Sequence, residues 1–450
     1  MGQGIRAIGR GLATVATGFA RGVAGVAKGL AGGIATLFQR MLPGQERDTR
    51  RRARARRPIP EENRTVMIAL AIGIPVLLAV VVALAYFSFG GEDAHFQRLI
   101  NQAEKEITSA QTAGGMSQEA RPHWKSALDR ANAAVGRRPS DPVALALQAQ
   151  AQAALDFLDG VVRLQPTQLW DFGPGSAPRY LVAHGQMIFV LDPTEGWVAQ
   201  LALTPSGDGV VDPGNEPFIL QSGQEIEGTR VDKLVGFAWA DPGGERQTSS
   251  LLILEEDGAL ISYDPAWVGE GGTPRFARSL LGTPPAAPRS VGSFAGRFYI
   301  LDLEESQIWR YEPQGPTYPE QPDRYFVTAP PKSLETAVDI AIDGNIYVLY
   351  ADGTILKYLQ REQQPFDVNG LFDETCEPIA LTVDPHSNSG TVYVADRGNG
   401  CVIGLGADGV LRARFCAAEA FDALEAVAAD EAAGRLYALS AGRLYAASLP

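Results

Sequence analysis

The groups able to do chemistry are few in this 450-residue chain: four histidines, three cysteines, and acids gathered in short turns. His184 and His386 lie 202 positions apart, each close behind a short apolar strand. Isolated imidazoles so placed show no ligand spacing, and they are read as structural, with no metal site assigned. His123 and Trp124 fall in a helical run and are read as packing residues. Ten acids follow apolar strands: Asp192, Glu195, Glu255, Glu256, Asp257, Asp302, Glu304, Glu305, Asp352 and Asp396. Gathered on one rim they would make a docking face for a basic partner, or a weak divalent-cation site. The alternative is that Asp and Gly form good turns. No EF-hand loop, G-x-S-x-G, H-E-x-x-H, Walker loop or C-x-x-C occurs. No catalytic residue and no cofactor is therefore assigned, and the chain is expected not to be an enzyme.

Cys401 opens one strand and Cys416 closes the next, about the turn "ADG" at 407–409. In a simple hairpin register the two face each other, with Cβ atoms ~4.5–5.5 Å apart and within reach of a disulfide. Cys376 is a rival partner, and buried free thiols are the other alternative.

These turns belong to a repeat. "IFVLDPTEGWVAQL", "LLILEEDGALISYD", "FYILDLEESQIWRYE", "IYVLYADGTILKYL", "VYVADRGNGCVIGL" and "LYALSAGRLYAASL" are each a strand, a turn and a strand. Their second residues, Phe189, Leu252, Tyr299, Tyr347, Tyr393 and Tyr437, are spaced 63, 47, 48, 46 and 44 apart. A period of ~45 residues with four strands is that of a propeller blade. A further strand of small and apolar residues precedes each pair, as in "LVGFAWA" and "AVDIAID", and suits the wall of a narrow channel. Residues 161–450 are thus expected to form an all-β six-bladed propeller. The last copy lacks a fourth strand, which "GVVRLQPTQLW" (160–170) would supply from the other end of the domain, removing an exposed edge. "VYVADRGNGCVIGL" resembles the NHL-type propeller repeat, and the other five copies resemble it more loosely.

Four segments precede the propeller. Residues 1–40 step apolar side chains by three or four and set Arg6, Arg10, Arg21 and Lys28 opposite them, with most glycines on a third face. That predicts an amphipathic helix that folds on a membrane surface or against a helix partner, including another copy. Residues 41–65 form a basic linker with Arg50, Arg51, Arg52, Arg54, Arg56 and Arg57. Residues 1–65 carry 13 Lys/Arg against 4 Asp/Glu, a net of +9 in a chain of −13. Residues 66–89 hold no charge and are long enough for a transmembrane helix. The charge bias places the N-terminus in the cytoplasm, on anionic lipid rather than nucleic acid, and the propeller outside the plasma membrane. Residues 93–160 read as a helical neck with a TPR-like hairpin, Asp141 capping a helix that starts at Pro142.

The Gly/Ala basic helix, "LPG", the polybasic linker, the span and "QAQAQAALDFLDGVVRL" leading into a propeller together resemble the membrane-anchored rear part of some bacterial PP2C-type serine/threonine phosphatase chains. The phosphatase domain itself is missing from this sequence. The resemblance implies a binding, sensing or scaffold module with an unknown protein partner at the propeller, linked to Ser/Thr phospho-signalling. The alternative is a surface-tethered propeller enzyme, a metal-dependent hydrolase or lyase.

Overall fold

A computed structural model describes residues 93–211, 217–268, 274–387 and 389–450. The amphipathic segment 1–40, the basic linker 41–65 and the apolar run 66–89 lie outside them. Among the described residues no helix is long and apolar enough to cross a membrane.

The neck is three helices: α1 (93–112), α2 (Arg121–Arg137) and α3 (Pro142–Asp159). Helices α2 and α3 face each other with alanines, Ala127, Ala131, Ala134, Ala144, Ala151 and Ala154 all being fully buried. Small side chains let the two backbones approach closely. Asp141 caps α3 by accepting from the amides of Val143 and Ala144, both at 3.0 Å. Gly160 ends it in the left-handed conformation, φ 65°. Trp124 is buried and donates to the Gly115 carbonyl at 2.8 Å, and His123 meets Glu106 at 2.8 Å.

Beyond Gly160 the described residues form six blade sheets around a ring, with a two-stranded hairpin, Glu225–Ile226 and Thr229–Arg230, beside them. Their inner strands are Tyr180–His184, Leu234–Ala240, Pro288–Phe294, Ala337–Ile342, Pro378–Val383 and Leu424–Asp430, numbered here as blades one to six. The second strand of each blade is buried almost end to end, because another blade covers each of its faces. Six apolar clusters lie one at each junction between neighbouring blades, so the core is a closed ring of interfaces.

Two short strands join neck to ring. Strand β1 (Val161–Arg163) runs parallel to Leu411–Cys416 as a fifth strand of blade five. Strand β2 (Thr167–Asp171) pairs antiparallel with Arg443–Ser448 as the fourth strand of blade six. The region expected to complete the last blade therefore serves two blades, with β2 alone as the closing strand.

A carboxylate pins several blades at the point where the chain enters them. Asp192 accepts from the Ala177 amide at 2.7 Å, Glu255 from Asp232 at 2.6 Å, Asp302 from Ala286 at 2.7 Å, and Asp396 from Glu377 at 2.8 Å. Asp192 and Asp302 also hold their own turns, accepting from the amides of Glu195 and Glu305. All four side chains are buried. A charge taken out of water must be satisfied in this way.

Candidate functional site

The inner strands enclose a cavity of about 600 Å³. Small residues such as Ala183, Ala238, Gly292 and Ala341 leave it open along its length. Polar groups gather at its two ends.

At one end the strand Tyr180–His184 delivers His184, and Gly185 then turns the chain with φ 57°. Asp241 follows the inner strand of blade two, and His386 lies in the turn after that of blade five. Only blade six lies between blades one and five, and the two imidazole centroids are 5.9 Å apart. His386 Nε2 is 3.3 Å from Asp241 Oδ2, while Asp241 Oδ1 accepts from Trp239 Nε1 at 3.1 Å. Trp239 also stacks on the His184 ring, with centroids 4.1 Å apart. One ligand atom from each of His184, Asp241 and His386 lies within 4.8 Å of the others. Burial lowers the His184 pKa, against Asp241, which raises it. A neutral imidazole keeps its lone pair for a metal. The reading of these histidines as separate structural residues is corrected: the ring closure brings them together, and Asp241 joins them.

Two turns hold this end in place. Asp384 accepts from the His386 amide at 2.9 Å with one oxygen and from the Glu431 amide at 3.0 Å with the other. Asp430 fixes its own turn by accepting from the Ala433 amide at 2.9 Å.

At the other end Asp339 ties three blades. It accepts from Ser290 Oγ at 2.6 Å, from its neighbour amide Ile340 at 2.9 Å and from the Leu381 amide at 2.7 Å. Burial pushes its carboxyl up to about 6 in spite of those donors. Its surroundings shield it from bulk water although it touches the cavity wall.

The ten acids expected on one rim divide. Asp192, Glu255, Asp302 and Asp396 are buried and hold backbone amides, so they face no partner. Glu195, Glu256, Asp257, Glu304, Glu305 and Asp352 are exposed. Among these, Glu256 meets Lys233 at 2.6 Å, Asp257 meets Arg278 at 3.1 Å, Glu305 meets Arg324 at 3.7 Å and Asp352 meets Lys332 at 2.5 Å. Four of the six exposed acids are thus paired with a cation on the same surface. Cys401 and Cys416 are paired across their hairpin in a disulfide, Cα atoms 4.2 Å apart. Cys376 is free, and burial pushes its thiol up to about 11, which keeps it unreactive.

No family model and no curated protein matches the chain. Solved structures do. A gluconolactonase from Xanthomonas campestris is 15% identical, with TM-score 0.45, covering 64% of this chain and 90% of that one. A calcium-binding protein, regucalcin, from Agrobacterium tumefaciens is 14% identical, with TM-score 0.41, covering 64% and 95%. A chain of a nidogen/laminin complex is 12% identical, with TM-score 0.35, covering 54% and 81%. The expectation that the chain is not an enzyme is withdrawn, since the channel end brings two imidazoles and a carboxylate within ligand distance of one another.

Proposed function

We propose that the chain is a metal-dependent hydrolase of small neutral molecules, working at the His184 end of its channel. One observation carries this reading: two imidazoles and a carboxylate offer ligand atoms within 4.8 Å of one another at the mouth of a 600 Å³ cavity. Two His and one carboxylate leave positions open on a borderline ion such as zinc, as catalytic rather than structural sites do. Bound there, the ion would supply Lewis acidity toward a carbonyl. His184 is held neutral by burial and fixed by the face of Trp239, and Asp241 is oriented by the Trp239 indole. Asp384 and Asp430 line the same mouth and disfavour anionic substrates, which favours a neutral ester or lactone.

The test uses the full chain in a nonionic detergent. Zinc titrated against a chromophoric chelator should bind once per chain with a Kd of about 1 µM or below, and His184→Ala or His386→Ala should weaken it at least 100-fold. A panel of neutral esters and lactones should then be cleaved by the zinc-loaded chain and not by His184→Ala. Equal affinity in both variants removes the metal site. Zinc binding without turnover returns the chain to a sensing or binding role.

The placement we propose is extracytoplasmic, anchored by residues 66–89, with the basic tail on anionic lipid inside. It is supported by the uncharged run, the flanking arginines and the Cys401–Cys416 disulfide, a bond sustained in oxidising compartments. The link to phospho-signalling belongs to the same proposal. A crosslinking pull-down of the full chain against one lacking residues 1–57 tests it, and recovery of no kinase, phosphatase or phosphoprotein would end it.

A further inference from the structure

Residues 66–450 carry 26 Lys/Arg against 48 Asp/Glu, so most of this surface repels anions. One cleft departs from that balance. It measures about 910 Å³, opens beside the Asp339 end of the channel, and is lined from blades one, two and three. Arg179, Arg230, Lys233 and Arg289 line it against only Glu195 and Asp232. Lys233 is engaged by Glu256, and Arg289 uses its Nε on the Val338 carbonyl at 3.2 Å. Arg179 and Arg230 make no ion pair among the described residues, and both are exposed. The guanidinium of Arg230 lies over Gly223, where an added Cβ would stand 3.0 Å from Nη2, so the glycine leaves room for the head group.

We propose that this cleft is a binding site for a small soluble dianion, a phosphate ester or a dicarboxylate. Guanidinium groups present paired N–H donors that match the oxygens of either group, and two such forks without an ion-pair partner among the described residues are suited to two negative charges. The Arg289 guanidinium adds positive potential at the same wall. The enclosing turns Thr194–Gly196 and Ser222–Gly223 limit the occupant to a small molecule. None of these residues belongs to the His184 cluster, so this inference stands or falls separately from the hydrolase reading.

The experiment is calorimetric titration of the full chain in nonionic detergent at low salt, with inorganic phosphate and succinate as separate probes. Saturable binding of one probe or both is expected, with Arg179→Gln and Arg230→Gln each weakening it about ten-fold and Arg230→Lys less. Phosphate alone binding names the phosphate ester; succinate alone names the dicarboxylate. Affinity should fall steeply with added chloride, and zinc affinity should be unchanged in both variants. No saturable binding of either probe, or equal affinity in the double variant, overturns the proposal. Both arginines are exposed, and an unchanged melting temperature confirms that each variant is folded.

Discussion

At the scale of single residues, two groups give opposite pH signatures. Metal uptake at His184, Asp241 and His386 competes with protons, because an imidazole must shed its proton to offer a lone pair to the ion. Zinc affinity should therefore fall at least ten-fold between pH 7.5 and pH 5.5, with protons released on binding in calorimetry at pH 6. A pH-independent affinity would place the ion elsewhere. Asp339 acts through stability. Its folded carboxyl is raised from 3.8 to about 6, so the folded state holds the proton more tightly than the unfolded chain. That contribution is complete below about pH 4 and is lost as pH rises through 6, amounting to about 3 kcal/mol. Asp339→Asn should flatten the difference between urea midpoints at pH 4 and pH 7; an unaltered slope would mean that Asp339 stays charged throughout. The histidines show what a linear reading lacks. Each was visible as a residue behind an inner strand, but 202 positions of sequence conceal a separation set by the channel width. Asp241 went unremarked because a lone acid before "PGG" reads as a turn former. Setting the inner strands in register on Phe189, Leu252, Tyr299, Tyr347, Tyr393 and Tyr437 places His184, Asp343, Asp384 and Asp430 in one layer. Asp241 follows one residue beyond that layer in blade two.

Elements were legible where their chemistry repeats. The strand–turn–strand copies, the Asp141–Pro142 cap and the Cys401–Cys416 register all depend on neighbours within about 20 residues, and the structure contains each of them. The acids after the second strands were visible too, but not their burial. Their partners are amides 15 to 23 residues upstream, in the segment entering the same blade, and turn composition does not record that packing. Asp192 and Asp302 each accept from three amides, Asp302 from Ala286, Ala287 and Glu305. Asp302→Ala leaves three amides unsatisfied and should lower stability by about 3 kcal/mol in denaturant unfolding, far more than Glu304→Ala on the exposed side of the same turn. Similar losses for both would show that water replaces the carboxylate. The disulfide closes a separation of 15 residues, so Cys401→Ser/Cys416→Ser should cost about 3 kcal/mol relative to the oxidised chain.

At the scale of the whole molecule, the ring depends on a contact between chain ends. Blade six takes three strands from Leu424–Ser448 and its fourth, β2, from before blade one. Leu169 and Trp170 of β2 pack against the cluster between blades six and one, which also holds Leu181, Tyr437 and Leu444. Removing β2 would uncover that cluster and leave Arg443–Ser448 as an open edge, a template for pairing with another chain. It would also detach the propeller from the neck at one of two joints, since β1 continues from α3 onto blade five, where Arg414 holds the Asp159 and Gly160 carbonyls. A chain of residues 161–450 should therefore melt about 10 °C above one of residues 174–450, the difference being the burial of two large apolar side chains and a strand of hydrogen bonds. The shorter chain should also scatter light on standing. His184 ends the inner strand of blade one and His386 follows that of blade five, so the 5.9 Å between their rings spans blade six and its junction with blade one. Zinc affinity should thus fall when closure is lost: if the 174–450 chain melts lower yet binds zinc as tightly, the inner strands hold the site without the fourth strand of blade six, and closure serves stability alone.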